Sequence, residues 1–191
     1  MKKIKKFKIH LRQREIARLL KTTTKTEVTP QLEEAIQREC LRLQPLISPA
    51  AVYETQPKEK TPAELSAGAP DKWVAASSYI VTIGGEVEGE IREAQVRGED
   101  ILSQLLHAVT MEALEQTDNF VQRLIADEAK EDGCDLAGSR GIEGNDAWAA
   151  FSQILPGDKI GVQHIEENQF QPMYSAAGIV YWIPVKKKNQ R

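Results

Sequence analysis

The sequence predicts an α+β fold with a mainly antiparallel sheet, and three observations carry that expectation. Apolar residues at helical spacing precede and follow one strand-like run near residue 80, a long helical pattern fills the middle of the chain, and strand-like runs close it. Helices, a strand, helices and then strands is not the regular alternation that builds a doubly wound parallel sheet. At 191 residues, with 41% hydrophobic and 28% charged content, the chain is long enough for a sizeable core without metal or disulfide support.

The elements follow in chain order. Residues 5–11 read as a short strand, and Ile16, Leu19 and Leu20 put an apolar side on a helix over 12–21 that the threonines Thr22, Thr23 and Thr24 end. Thr29 offers an N-cap and Pro30 the first helical position, after which Leu32, Ile36, Cys40, Leu43 and Ile47 recur at spacings of three and four. That helix is expected to stop near Pro45. Residues 56–72, with Pro57, Pro62, Gly68 and Pro70 among polar groups, read as a connector too poor in large apolar residues to fold by itself.

A buried strand over 79–83 meets Gly84 and Gly85, and Val87, Ile91 and Ala94 then mark a short acidic helix ending near Gly98. The longest helix is expected over 100–132, with Leu102, Leu105, Val109, Ala113, Phe120 and Leu124 as its stripe and Gly133 as its stop. An irregular segment over 135–146 leads to a compact helix around Trp148, Phe151, Ile154 and Leu155, closed by Pro156 and Gly157. Residues 160–182 then pair two apolar strand-like runs around a polar turn. The organisation read from this is one domain over 1–191: a strand and helical arm over 1–55, a connector over 56–72, an α+β core over 73–185 and a basic tail over 186–191.

Composition narrows the function. No apolar run approaches the roughly 20 residues of a membrane span, and the lysine-rich start continues into Arg12, Arg14 and Glu15 rather than an uncharged apolar region, which points to a cytoplasmic protein. Residues 84–146 hold sixteen acidic against five basic side chains, a charge that repels phosphate, and the basic ends lack interleaved aromatic residues for base stacking. These features argue against nucleic acid and membrane partners. Cys40 and Cys134 have no second cysteine at metal-ligand spacing and suit inert buried thiols. His164, Ile165, Glu166 and Glu167 lack the helical spacing of metalloprotease ligands, no serine sits in a nucleophile elbow, and Gly84-Gly85 belongs to no phosphate-binding fingerprint.

Three features remain as candidates. Glu112, Glu115 and Asn119 share one row of the long helix, either as a solvated face or as the wall of a site. The loop over 136–146, LAGSRGIEGND, is long and polar enough to wrap a small ligand with backbone groups, and serves equally as a surface loop. Small residues at Ser175, Ala176, Ala177 and Gly178 let either a neighbouring helix or a ligand come close to the backbone.

The order of these elements, and several separate stretches, resemble the activation domain of cobalamin-dependent methionine synthase, and in particular its small stand-alone relatives. FKIHLRQREIARLL resembles the start of the family's domain, residues 39–53 its second helix, YIVTIGGEVEGEI its first core strand and turn, and AVTMEALEQ its central helix. IGVQHIEENQFQPMYSAAGI resembles its closing strands, with Gly161, Glu166, Pro172, Ser175 and Gly178 at family positions. The resemblance runs from about Phe7 to Trp182. It implies a curved, mainly antiparallel sheet with packed helices, S-adenosylmethionine as ligand, and a corrinoid-binding or methyltransferase partner that supplies the cobalamin and is reductively remethylated.

In that family a carboxylate of the central helix meets the ligand's amino group, which maps to Glu115. The family's loop reads Arg-x-x-Pro-Gly-Tyr or Ser-Pro-Gly-Tyr, where this chain has Ala137-Gly138-Ser139-Arg140-Gly141-Ile142. Ser139 and Gly141 match, the family's arginine, proline and tyrosine positions hold Ala137, Arg140 and Ile142, and Arg140 supplies a guanidinium three positions after the family's arginine. The cofactor-binding residues implied are therefore Glu115, Ser139, Arg140 and Gly141, with no catalytic or metal-ligating side chain. No Asp-x-His-x-x-Gly cobalt-ligand motif surrounds His10, His107 or His164, so the corrinoid is expected on a partner. The alternative is a non-catalytic interaction module of the same fold with a degenerate ligand site.

Overall fold

A computed structural model of the chain describes residues 1–24, 27, 29–166 and 169–185; the basic tail over 186–191 and Glu167 lie outside the described residues. Five strands form one open sheet in the order β1 (Lys2–Lys5), β2 (Ala50–Pro57), β3 (Ala75–Thr82), β7 (Ser175–Pro184) and β4 (Cys134–Leu136), and every pairing is antiparallel. The predicted α+β class with a mainly antiparallel sheet and packed helices is observed. Two further strands, β5 (Gln163–Glu166) and β6 (Gln169–Gln171), pair separately.

Local chemistry accounts for the helices. In α2 (Pro30–Leu43) the Thr29 side chain accepts from the Leu32 N–H and proline occupies the first turn, as predicted. Helix α1 (Gln13–Thr24) starts two residues after buried Leu11 and turns Ile16 and Leu20 inward. Helix α4 (Glu86–Val96) follows the turn at Gly84, whose φ of +82° suits a residue without a Cβ. The longest helix, α5 (Asp100–Glu131), ends before Gly133 at φ +70°.

The structure corrects the sequence reading in three places. The first strand is Lys2–Lys5 rather than 5–11, because Lys6 takes a positive φ of 57° and turns the chain off the sheet. Strand β2 has no counterpart among the predicted elements. Its residues Ala50, Ala51, Val52 and Tyr53 are all buried, so the period-two alternation that marks a half-exposed strand is missing. The closing segment is not one strand pair either: Gln163–Glu166 and Gln169–Gln171 form the small sheet, whereas β7 sits between β3 and β4 in the large one.

Successive residues of a strand point to opposite faces, and both faces of the large sheet are covered. Ala51, Tyr53, Tyr79, Val81, Val180 and Trp182 pack against Val121, Ile125 and Ala129 in the C-terminal half of α5. On the other face, Val52, Ile80, Ile179 and Tyr181 meet α6 (Asn145–Ile154) through Trp148 and Phe151. The predicted connector contributes there as well. Leu65 of the short helix α3 (Ala63–Ser66) is buried against this core together with Trp73. The N-terminal helical arm lies against α4 and the N-terminal half of α5, through Ile16, Leu20, Ile36, Leu43, Val87, Leu106 and Val109.

At Gly178, within the small-residue run Ser175, Ala176, Ala177 and Gly178, the close approach is made by a side chain of the neighbouring strand. Tyr79 is the cross-strand partner of Gly178, and a Cβ at 178 would stand 2.6 Å from the tyrosine oxygen and 2.7 Å from Cζ. The ring lies over the glycine. Ser175 acts differently, with its Oγ donating to Thr82 Oγ1 at 2.9 Å and lying 2.8 Å from the Pro172 carbonyl.

Gly178→Ala is expected to destabilise the protein by about 1–3 kcal/mol, the usual range for overpacking a filled site. Gly89 lies inside α4, and a Cβ added there would meet nothing within 4 Å, so Gly89→Ala is expected to stabilise by roughly 0.5–1 kcal/mol. Urea unfolding of both variants checks the pair, and equal effects at the two glycines would contradict the steric account.

Candidate functional site

The predicted site residues come from α5 and the segment after β4, and the edge of the large sheet positions both. After β4 the chain continues beside β7, where Arg140 pairs with Ile179 through hydrogen bonds of 3.0 and 2.9 Å. An extended segment sends neighbouring side chains to opposite faces of a sheet. Ser139 therefore reaches the α5 side, and Arg140 the other side.

On the α5 side a polar cluster forms around Gln122. Its Nε2 donates to Asp118 Oδ2 at 2.6 Å and lies 3.2 Å from both Tyr79 Oη and Ser139 Oγ. Glu115, Asp118 and Gln122 fall at spacings of three and four along α5 and share a row. Desolvation raises Asp118 above the ordinary carboxylate range, against the lowering effect of hydrogen bonds from Tyr79 and Gln122. Desolvation also raises the Tyr79 phenol, helped by the nearby Asp118 charge, so the hydroxyl stays protonated.

On the other side, the Arg140 guanidinium is held in place. Its Nε donates to Tyr181 Oη at 3.0 Å and its Nη2 to the Leu65 carbonyl at 3.0 Å. Tyr181 itself donates to the Leu65 carbonyl. Ser139 and Arg140 are adjacent in sequence, yet they serve opposite faces of the sheet. Gly141 is exposed just beyond, and no side chain crowds it or Gly138.

The row predicted from sequence, Glu112, Glu115 and Asn119, divides three ways. Glu112 is completely buried and holds the start of α1: its Oε1 accepts from Arg12 N at 3.2 Å and Nε at 2.8 Å, and its Oε2 from Arg12 Nη2 at 3.1 Å. A carboxylate at a helix start offsets the positive end of the helix dipole. Glu115, with its side chain 46% exposed, takes a further bond of 3.2 Å from Arg12 Nη2. Asn119 is exposed, and its carbonyl accepts from Arg123. The residues that gather at the sheet edge are instead Asp118, Gln122 and Tyr79. Their signal in the sequence is the polar row one position over, at 115, 118 and 122.

The cluster can bind a cation and hydroxyl groups: two carboxylates and an amide of one helical row, the Tyr79 phenol of β3 and the Ser139 hydroxyl of the loop stand together. A ligand carboxylate has fewer partners, since Arg140 points away. The exposed backbone of Gly138 and Gly141 is what the loop offers it. The other predicted groups have structural roles. His164 stacks on Trp148 with ring centres 3.8 Å apart, and burial pushes the Cys40 thiol up to about 11, aided by Glu112 and Glu39. No helix among the described residues is long and apolar enough to cross a membrane.

No family model matches the sequence, and no curated protein matches it. Among solved structures, the fold is similar to that in the crystal structure of the MetH reactivation domain bound to AdoHcy. The TM-score is 0.64, over 98% of this chain and 79% of that one, at 12% sequence identity. At that identity the likeness is one of fold.

Because the folded state raises the Asp118 pKa, it binds the proton more tightly than the unfolded chain does. The stability this carboxyl contributes is therefore present below the usual aspartate pKa of about 4 and is lost as pH rises through the folded value. Asp118→Asn keeps an acceptor for Gln122 and removes that loss. The variant is expected to be more stable than the parent at pH 7, with the gain shrinking on acidification to about pH 4; urea unfolding at the two pH values measures it.

Proposed function

We propose that this protein binds S-adenosylmethionine at the edge of its large sheet and assists reductive reactivation of a corrinoid carried by a partner methyltransferase. The observation that carries the reading is the fold likeness across nearly the whole chain to a reactivation domain whose structure contains AdoHcy. The local chemistry supports it. Glu115 accepts the ligand's ammonium group, Asp118 and Ser139 hold hydroxyl or amino groups, and Gly141 leaves the loop backbone open to the ligand. Transfer of the methyl group is chemistry of the two cofactors; the protein's share is to orient the sulfonium methyl toward the attacking metal and to keep it there.

A second reading has its own observation. The Arg140 guanidinium is engaged by Leu65 and Tyr181, Glu115 is bonded to Arg12, and Ser139 Oγ lies 3.2 Å from Gln122 Nε2, so three of the four implied ligand residues already have protein partners. This favours an interaction module that kept the fold and docks on a corrinoid-binding or methyltransferase protein through its acidic surface.

Calorimetric titration with S-adenosylmethionine separates the two. Under the first reading the ligand binds at micromolar to millimolar concentration, and Glu115→Ala weakens it by about tenfold, a loss at the lower end for a charged hydrogen bond open to solvent. Absence of heat at millimolar ligand rejects it. The second reading then predicts capture of a corrinoid protein that weakens as salt rises, because screening shortens the reach of exposed charges.

A further inference from the structure

A cleft of about 700 Å³ opens between α1, α4 and the N-terminal half of α5, with Met173 and Tyr174 closing one side. Small-molecule sites have volumes of this order. Its apolar lining includes Leu19, Ile91, Met111 and Met173, and the two methionines are 39% and 59% exposed. Flexible thioether side chains adapt to the shape of a bound molecule.

Two polar groups of this cleft lack partners. Ser103 is 8% exposed, yet its hydroxyl makes no hydrogen bond among the described residues. On the same helix Thr110 and Thr117 return their hydroxyls to the carbonyls of Leu106 and Ala113, at 2.7 and 2.8 Å. The Ser103 oxygen is not sealed inside the core, so the hydroxyl stands open to the cleft. The second group is Arg92. The other basic residues of the acidic stretch are occupied: Arg97 by Glu93 and Glu99, Arg123 by the Asn119 carbonyl, Lys130 by Asp127, and Arg140 by Leu65 and Tyr181. Arg92 has no ion pair or hydrogen bond among the described residues.

The remaining titratable groups of the cleft are one acid and a hydrogen-bonded tyrosine–histidine pair. Glu88 is the acid of the cleft, but its Oε1 is taken by the Met173 N–H at 2.7 Å. Tyr174 Oη lies 2.7 Å from His107 Nδ1 and has no other acceptor among the described residues, so the hydroxyl donates and leaves the proton of neutral His107 on Nε2. The cleft thus offers donors from Arg92, Ser103 and His107.

We propose that this cleft binds a small amphiphilic monocarboxylate, its apolar body between Leu19, Ile91, Met111 and Met173 and its carboxylate on Arg92. Ser103 and His107 donate from the wall. Along α5, Met111 stands four residues before Glu115 and seven before Asp118, about 6 and about 10 Å along the axis, so the two sites lie on neighbouring parts of one helix. A medium-chain fatty acid and an arylalkanoic acid share the required chemistry.

The chain has three methionines, two of them on the cleft, while Met1 pairs through its amino group with Glu54. The full chain carrying ¹³C-methyl methionine, titrated with octanoate and with 3-phenylpropanoate, is expected to show saturable shifts at Met111 and Met173 and none at Met1. The acid that saturates at lower concentration assigns an aliphatic or an aromatic ligand. Octylamine is expected to bind at least tenfold more weakly, and Arg92→Gln to weaken both acids about tenfold while leaving 1-octanol unchanged. Shifts at all three methionines without saturation, no shift at all, octylamine binding as tightly as octanoate, or an Arg92→Gln variant that binds the acids like the parent would each overturn the proposal.

Discussion

The burial of one long helix against two different surfaces organises this molecule. Helix α5 has 32 residues, about 48 Å long at the usual rise per residue. Its N-terminal half gives Leu105, Leu106, Val109 and Ala113 to a helical core with α1, α2 and α4; its C-terminal half gives Val121, Ile125 and Ala129 to the sheet. Burying one such aliphatic side chain is worth roughly 1.5–3 kcal/mol, so neither assembly would hold without its half of the helix. Within the N-terminal half stands Glu112, fully buried and bonded to Arg12, which fixes where α1 begins on the rod.

Much of this was legible because local signals and tertiary structure agree. Thr29 and Pro30 announce α2, Gly133 ends α5, and the Val87, Ile91 and Ala94 spacing gives α4. The order of elements is enough to reject a doubly wound sheet. What could not be read shares one physical cause, burial from two sides. Strand β2 is covered by α5 and by the opposite core, so its apolar pattern loses the alternation that identifies a strand. Leu65 looks like a lone apolar residue in a proline-rich connector until α6 and the sheet enclose it.

The site residues were harder for another reason. A helical row predicts which side chains are neighbours but not which way the row faces, and one step of rotation separates buried Glu112 from the row of Glu115, Asp118 and Gln122 at the sheet edge. Likewise, consecutive letters in a loop carry no warning that Ser139 and Arg140 stand on opposite faces of a sheet. Only the pairing of Arg140 with Ile179 settles that division. Sequence motifs compared letter by letter treat such a loop as one functional unit, whereas this backbone makes it two.

The ring of Tyr79 lying on Gly178 has a consequence for how sequences with this fold can diverge. The two positions occupy one shared volume on the α5 face of the sheet, and their sizes must change together. A relative that gains a side chain at 178 has to give up the aromatic ring at 79, and with it the phenol that contacts Gln122. The polar cluster at the sheet edge is thus inherited or lost with a glycine on the neighbouring strand.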